Sequence, residues 1–314
     1  MTRPVLFAST RPLGRAENIT AIYDAYDGPK TFVQVDPWRR HPEIISGNYG
    51  LMVIDEFPTV SPGKIILVGH CIEGGKTGGL DQPHPYFHAH QASLITWNVT
   101  TSPDMVPLAA TQSGLPESQV LPLGLPRTDA YVGRKKGDGH TRLAGKRAYL
   151  YAPTYRSKEE TPLPNIDWAW LDNAMTDDEV LVVKAHMMTG RILQGQYRHI
   201  IEVSPDEPSA PYLIDCDVVI TDYSSIIFDG YLLGKPSVLL EKVRGYTTDR
   251  GMYLLYPEQY SSMYCKDEKT MLELVRKADG LGQTERECIR HVAESCDGHA
   301  TERVCELIRR ECDA

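Results

Sequence analysis

The sequence predicts an α/β protein with two domains, each built on a parallel β-sheet. Short β-branched runs alternate with helical patterns from residue 5 to about residue 130, and the alternation starts again at residue 148. Between the halves lies a Gly-, Lys- and Arg-rich segment without an apolar period, which we interpret as a linker, residues 133–147. The predicted domains are 1–135 and 145–283, followed by a helix pair, 284–314, that packs back on the first domain.

Each half contains runs of the length and composition of buried parallel strands. In the first half these are 5–8, 31–35, 51–54, 65–68 and 97–101, with helices at 17–26 and 105–111. In the second half they are 148–151, 180–183, 200–202, 218–220 and 238–240, with helices at 166–176, 209–215, 225–233 and 268–278. We expect a cleft between the carboxyl ends of the two sheets, since open α/β sheets bind ligands at those ends.

The composition is that of a globular protein, and it narrows the range of partners. The 314-residue chain has a net charge of −9, which argues against a nucleic-acid binder. It contains no apolar run long enough for a transmembrane helix, and because the apolar run near residue 5 is short we expect no secretory signal. Seven cysteines without a CxxC pair indicate reduced thiols in the cytoplasm, and the last four are spaced as helix-face residues.

Residues 213–240 carry the strongest functional signal. An apolar run ends in Thr221-Asp222-Tyr223-Ser224-Ser225, a helical pattern follows, and a second apolar run begins after Gly234 and Pro236. This is a βαβ unit with two serines at the helix N-terminus, where free N–H groups favour an anion such as phosphate. The alternative is that Ser224 is only an N-cap. On the helix, one face is predicted to carry Ile226, Ile227, Tyr231 and Leu232.

Basic residues follow other predicted strands of the same half. Arg156 ends the segment YAPTYR at 151–156, and Lys184 and His186 follow the strand at 180–183. An arginine here suits a bidentate phosphate contact. Together with the serines, these residues predict an electropositive pocket within an acidic protein.

In the first half, His70 follows the strand at 65–68, a position suited to a general base, although a structural histidine is the alternative. The glycine-rich run after it is not a Walker A motif, because His70 stands where the first glycine is required. His84, His88 and His90 lie among prolines and predict a loop rather than a metal site. We therefore predict no metal ligands and no evident cofactor, and leave a divalent metal ion open.

The segment TDYSSIIFDGYLLGKPSVLL resembles the CDP-glycerol glycerophosphotransferases of teichoic-acid synthesis. Further matching blocks follow in the same order: Gly69-His70, GLPRTDAY, YAPTYR, VVKAH and RGY, spanning about residues 65–250. The resemblance implies a glycosyltransferase-B-like fold of two Rossmann-like domains facing a cleft. It also implies a bacterial, cell-wall or capsule enzyme that transfers an alditol phosphate from CDP-glycerol, or a related CDP-alditol, and releases CMP.

The resemblance also implies roles for single residues. His70 would deprotonate an acceptor hydroxyl as one catalytic residue, and His186 would be the second. Arg156, Lys184, Thr154, Ser224 and Ser225 would bind the donor's pyrophosphate or nucleotide, and Asp229 its ribose. The acceptor would be a glycan or a lipid-linked glycan, and the protein cytoplasmic, with peripheral association at the inner face of the membrane.

The match has one departure, and two alternative functions stay open. Family members usually carry Trp-His-Gly-Thr around the first histidine, whereas this chain has Gly69-His70-Cys71-Ile72. One alternative is a glycosyltransferase or epimerase of the same fold that uses a UDP- or CMP-sugar. The other is a catalytically inactive homologue that binds a nucleotide or glycan.

Overall fold

A computed structural model describes residues 3–36, 44, 47–55, 63–69, 72, 92–143, 145–154, 165–186, 189–241 and 258–313. Its described residues form two compact units. One contains the residues up to Val132 together with those from Arg290 onward, and the other contains Gly133–Ile289.

Each unit is built on a six-stranded sheet whose strands are all parallel. The first sheet has the order β2-β1-β3-β4-β5-β6 and the second the order β12-β11-β10-β7-β8-β9. The strands are β1 Val5–Ser9, β2 Lys30–Gln34, β3 Leu51–Ile54, β4 Lys64–Leu67, β5 Trp97–Val99, β6 Val120–Leu121, β7 Arg147–Tyr151, β8 Glu179–Val183, β9 Ile200–Glu202, β10 Val218–Thr221, β11 Ser237–Leu240 and β12 Tyr264–Cys265.

Eight helices are described around these sheets. They are α1 Glu17–Ala25, α2 Val106–Ser113, α3 Trp168–Ala174, α4 Ala210–Asp215, α5 Ile226–Leu232, α6 Glu268–Lys277, α7 Gln283–Ala293 and α8 Ala300–Asp313. Three short 3-10 helices occupy Pro103–Met105, Glu117–Gln119 and Pro126–Tyr131.

The sheets form the centre of each core. The central strands β1, β3, β8, β10 and β11 are buried along their whole length, which explains their continuous apolar sequence. In the first unit, Val304, Leu307 and Ile308 of α8 pack in the same cluster as Phe7 and Ile19. The last helix is therefore a structural part of the unit that begins the chain.

The predicted fold class is confirmed, and three local predictions need correction. The segment interpreted as a linker is folded: Asp215 accepts hydrogen bonds from the backbone N–H groups of Gly137, Gly139 and Thr141. Burial alone would raise the pKa of Asp215, but the hydrogen bond from the Thr141 hydroxyl and these backbone hydrogen bonds hold it below its ordinary value. The turns at 137–141 therefore belong to the second unit.

The other two corrections concern side chains. Cys296 lies in the turn between α7 and α8 rather than on a helix face. In α5, the predicted apolar face is only partly right, because Ile226 and Leu232 are half-buried while Phe228, Asp229 and Gly230 are buried. The helix is enclosed on more than one side because Gly230 packs against Val219 of β10 while Phe228 and Tyr231 contact Tyr260.

Candidate functional site

The second sheet has its topological switch point between β7 and β10. From β7 the chain proceeds to β8 and β9 on one side, and then returns to β10, β11 and β12 on the other. At the carboxyl ends of these two strands lie Thr154 and the segment Asp222–Ser225, which we name the serine turn. Open α/β sheets bind ligands at this position, so the topology selects the same place as the sequence motif.

Asp222 joins the two sides of the switch point. Its Oδ1 accepts hydrogen bonds from the backbone N–H of Thr154 at 2.7 Å and of Tyr223 at 2.6 Å. The side chain is only 2% exposed. Asp222 therefore fixes the start of the serine turn to the segment that leaves β7.

Side-chain capping of α5, the alternative role predicted for Ser224, is weak in the structure. Ser225 is the N-cap residue of α5, and its side chain makes no capping hydrogen bond. Ser224 Oγ lies 3.5 Å from the backbone nitrogen of Ile226, at the outer limit of a hydrogen bond. Both residues are half-buried. Between them, the two hydroxyl groups therefore make only one long capping hydrogen bond.

Two glycines set how closely helix α5 packs on the sheet and where it ends. A Cβ atom at Gly230 would lie 2.9 Å from Cγ2 of Val219 on β10, closer than packed carbon atoms approach. Gly234 has a φ of 72° and ends the helix: the N–H of Lys235 donates to the carbonyl of Gly230, and the N–H of Gly234 to that of Tyr231. The glycines of the motif thus position the helix that follows the serines.

Three other predicted site residues are described in this unit. Lys184 is 6% exposed, and its Nζ donates to the carbonyl oxygens of Pro205 at 2.9 Å and Ala185 at 3.2 Å. His186, two residues on, is exposed. Asp229 is buried within α5. The structure places Lys184 and His186 after β8, next to β7, and Asp229 one turn beyond the serines.

A carboxylate that the sequence analysis did not identify lies on the other side of the turn. Glu241 follows β11, the neighbour of β10, and accepts hydrogen bonds from the hydroxyls of both Tyr223 and Tyr264. Burial, together with the hydrogen bond to Glu241, raises the pKa of Tyr223 well above its ordinary value. A single glutamate after a strand has no distinctive spacing, so only the structure identifies this group.

The remaining predicted site residues lie outside the described residues. These are Arg156 and His70, together with Cys71, the glycine-rich run and His84, His88 and His90. Among the described residues, no group of three or more metal-ligating side chains is assembled.

The first sheet has a corresponding switch point between β1 and β3. Ser9 Oγ donates to Oδ2 of Asp55 at 3.2 Å, so the ends of these two strands are also joined through a carboxylate. Next to them, buried Asn18 of α1 donates to the carbonyl of Gly69 at 3.1 Å and accepts from the N–H of Arg127 at 2.9 Å. Asn18 thus fixes the backbone that immediately precedes His70.

The block GLPRTDAY has a structural role in the first unit. Asp129 accepts hydrogen bonds from the backbone N–H groups of Ala300 at 3.0 Å and Thr301 at 2.7 Å. It therefore caps α8, a helix that starts 171 residues later in the sequence. From the sequence, Asp129 was only a member of the block GLPRTDAY, and the contact with α8 explains why an aspartate stands there.

The family model described as CDP-Glycerol:Poly(glycerophosphate) glycerophosphotransferase matches residues 68–310. The chain belongs to this family. The curated relatives that it matches include teichoic acid primases, transferases and polymerases of Bacillus and Staphylococcus, which is the context that the motifs predict.

Two relatives illustrate the match. The teichoic acid poly(ribitol-phosphate) polymerase of Bacillus spizizenii is 24% identical over 82% of this chain and 46% of the relative. A teichoic acid glycerol-phosphate transferase of Staphylococcus aureus is 25% identical over 68% of this chain and 60% of the relative. The chain spans between two fifths and about three fifths of the length of these two relatives and of two ribitol-phosphate polymerases of Staphylococcus aureus.

Solved structures share the fold at low sequence identity. The wall teichoic acid polymerase TagF has a TM-score of 0.76 at 18% identity, with 100% of this chain and 90% of that chain covered. A UDP-N-acetylglucosamine 2-epimerase from Listeria monocytogenes has a TM-score of 0.63 at 11% identity, with 99% and 97% covered. These neighbours confirm the predicted glycosyltransferase-B-like fold class. Within the ranges described, every helix is too short or too polar to span a bilayer.

Proposed function

We propose that this protein transfers an alditol phosphate, glycerol phosphate or ribitol phosphate, from a CDP-alditol to a hydroxyl of a glycan or lipid-linked acceptor, releasing CMP. The observation that carries the proposal is the serine turn, which lies at the switch point of the second sheet and whose hydroxyls make only one long capping hydrogen bond. Family membership supports this chemistry, and the position of the turn at a helix N-terminus on the switch point supports it as the proposed site of the donor's diphosphate.

The proposed reaction needs little covalent participation by the protein. The acceptor oxygen forms a bond to the phosphorus that carries the alditol, and the bond from that phosphorus to the CMP oxygen breaks. His70 takes the acceptor's proton, while negative charge collects on the leaving CMP. Catalysis of such a transfer depends on positioning and electrostatic stabilisation. Ser224, Ser225, Arg156 and His186 are proposed to supply these on the donor side.

For the other residues predicted to bind the donor, burial and hydrogen bonding indicate which of them support the structure of the site. The Lys184 ammonium donates to two backbone carbonyls, so we propose that it adds positive charge while supporting the chain after β8. The N–H of Thr154 is bonded to Asp222, which favours a role in fixing the pocket wall. The burial of Asp229 favours support of α5 over direct contact with ribose. The first unit is proposed to bind the acceptor, and the protein to act in the cytoplasm, with peripheral membrane association.

Calorimetric titration tests the donor. CDP-glycerol and CDP-ribitol are compared with UDP-glucose and CMP, and release of CMP is then measured with glycan acceptors. We expect one CDP-alditol to bind more tightly than UDP-glucose. Preference for UDP-glucose would support the alternative, an enzyme that acts on a nucleotide sugar. The epimerase neighbour shows that this fold also occurs in such a protein. Binding of CDP-alditol without CMP release on any acceptor would support the inactive homologue.

A double variant tests the serine turn. Ser224→Ala with Ser225→Ala should weaken CDP-alditol binding far more than it lowers the melting temperature. Ser209→Ala is the matched control, because Ser209 is the N-cap residue of α4 in the same unit and also makes no side-chain capping bond. Equal loss of binding in the double variant and in the control would contradict the assignment of the turn.

A further inference from the structure

We propose that Glu241 is a positioning residue that fixes the serine turn for donor binding through the hydroxyl of Tyr223. The inference rests on the proposed function, because it assigns to Glu241 a part in binding the CDP-alditol. Glu241 is not in the βαβ motif that carries the serines, and it follows the next strand of the sheet.

The backbone and side chain of Glu241 are both fixed by β12. Its N–H donates to the carbonyl of Cys265 at 3.0 Å, which continues the pairing of β11 with β12. Tyr264, also on β12, donates its hydroxyl to Oε2 of Glu241. The other carboxylate oxygen, Oε1, is therefore presented in a fixed position to Tyr223.

Tyr223 transmits this position to the turn. Its side chain is buried and its hydroxyl reaches Glu241, while its backbone N–H is bonded to Asp222. Asp222 in turn accepts from Thr154 beyond β7. The serine turn is thus held from both neighbouring strands, by Asp222 toward β7 and by Glu241 toward β11. Ser224 and Ser225 follow directly on this doubly held segment.

The electrostatics support a positioning role over direct contact with phosphate. A carboxylate repels a diphosphate, so Asp222 and Glu241 do not stand beside the proposed donor site to bind phosphate. Both carboxylates of the turn accept hydrogen bonds from protein donors, which spread their charge. Since the raised pKa of Tyr223 keeps its hydroxyl protonated, that hydroxyl remains a donor over the whole physiological pH range.

Two variants and a matched control test the proposal. Tyr223→Phe removes the hydroxyl, and Glu241→Gln keeps the side-chain shape but removes the charge. Tyr149→Phe is the control, because Tyr149 also donates its buried hydroxyl to a carboxylate of the same sheet, Glu179, at 2.7 Å, but at the opposite end of the strands. Donor binding is measured by calorimetry with CDP-glycerol and CDP-ribitol, and the turn by hydrogen exchange of the amides at 223–228 without ligand.

We expect Tyr223→Phe and Glu241→Gln to weaken CDP-alditol binding about ten-fold, as loss of a hydrogen bond to a charged group does. Both should also accelerate exchange at 223–228. The control should lower the melting temperature without either effect. Weaker binding in Glu241→Gln but not in Tyr223→Phe would overturn the proposal, because Glu241 would then act on the ligand directly.

Unchanged exchange at 223–228 in Tyr223→Phe would equally overturn it. The failure of the proposed function has a different signature: the wild-type protein would bind neither CDP-alditol. In that case the exchange measurement still decides whether Glu241 fixes the turn, since it requires no ligand.

Discussion

Glu179 offers the stability prediction whose size follows most directly from the structure. Its carboxylate, 5% exposed at the start of β8, accepts from Nε of Arg276 at 2.8 Å and from a terminal guanidinium nitrogen of the same residue at 2.6 Å. The Arg276 guanidinium, with further hydrogen bonds from Thr176 and Tyr149, outweighs burial and lowers the pKa of Glu179 to about 2. Relative to the ordinary 4.5, this corresponds to about 3 kcal/mol of stability.

The sign of the pH dependence follows from the lowered pKa. The stabilisation is fully present above pH 4.5, where the carboxylate is charged in the unfolded chain as well. It is lost as the pH falls from 4.5 toward 2, because the unfolded chain then takes up a proton that the folded protein resists. Glu179→Gln cannot titrate, so the difference between wild type and variant isolates this group from the other carboxylates.

Urea unfolding at several pH values measures the difference. We expect wild type to exceed Glu179→Gln by about 3 kcal/mol at pH 7 and the difference to shrink toward zero near pH 2. Arg198→Gln is the control, since the pair of Arg198 with Asp177 is 70% exposed on both sides and solvent screens it, so its loss should change the free energy of unfolding far less. A Glu179→Gln difference that stays constant from pH 7 to pH 2 would refute the reasoning.

Three further predictions concern packing and positioning. Asp129→Ala should destabilise the protein by about 1 kcal/mol through loss of the cap of α8, read from the urea midpoint; an unchanged midpoint would contradict this role. Gly230→Ala should lower the melting temperature and donor affinity together, because the added methyl pushes α5 away from β10; a change in neither would show that the helix can shift freely. Asn18→Ala should reduce the rate of CMP release more than donor affinity, since it frees the carbonyl before His70; equal loss of both in steady-state kinetics would argue against it.

Sequence patterns predicted the strands well where burial is continuous. The run at 51–54 matches β3 to the residue, and the runs at 180–183, 218–220 and 238–240 each differ from β8, β10 and β11 by one residue, because these strands are buried throughout inside a parallel sheet. The two-residue strands β6 and β12 were not predicted, since a pair of residues has no period to read. Tertiary pairing alone makes them strands.

The candidate site likewise contains residues that the sequence predicted and residues that only the structure identified. The serine turn was predicted because its chemistry is local: a strand, a short polar turn and a helix are consecutive in the sequence. Asn18 and Glu241 were missed because their partners are 109 and 18 residues away. A pattern read along the chain carries no information about such pairs, whereas the parallel sheet brings their strands together.

The contribution of α8 to the first unit sets an order for folding during synthesis. The core around Phe7 and Ile19 needs Val304, Leu307 and Ile308, which the ribosome adds almost 300 residues after Phe7. The described residues of the second unit, by contrast, lie in the continuous stretch Gly133–Ile289. We expect the second unit to become protease-resistant on the nascent chain while the first remains susceptible until α8 has emerged. The first unit, whose synthesis begins earlier, is therefore the unit that completes its folding later.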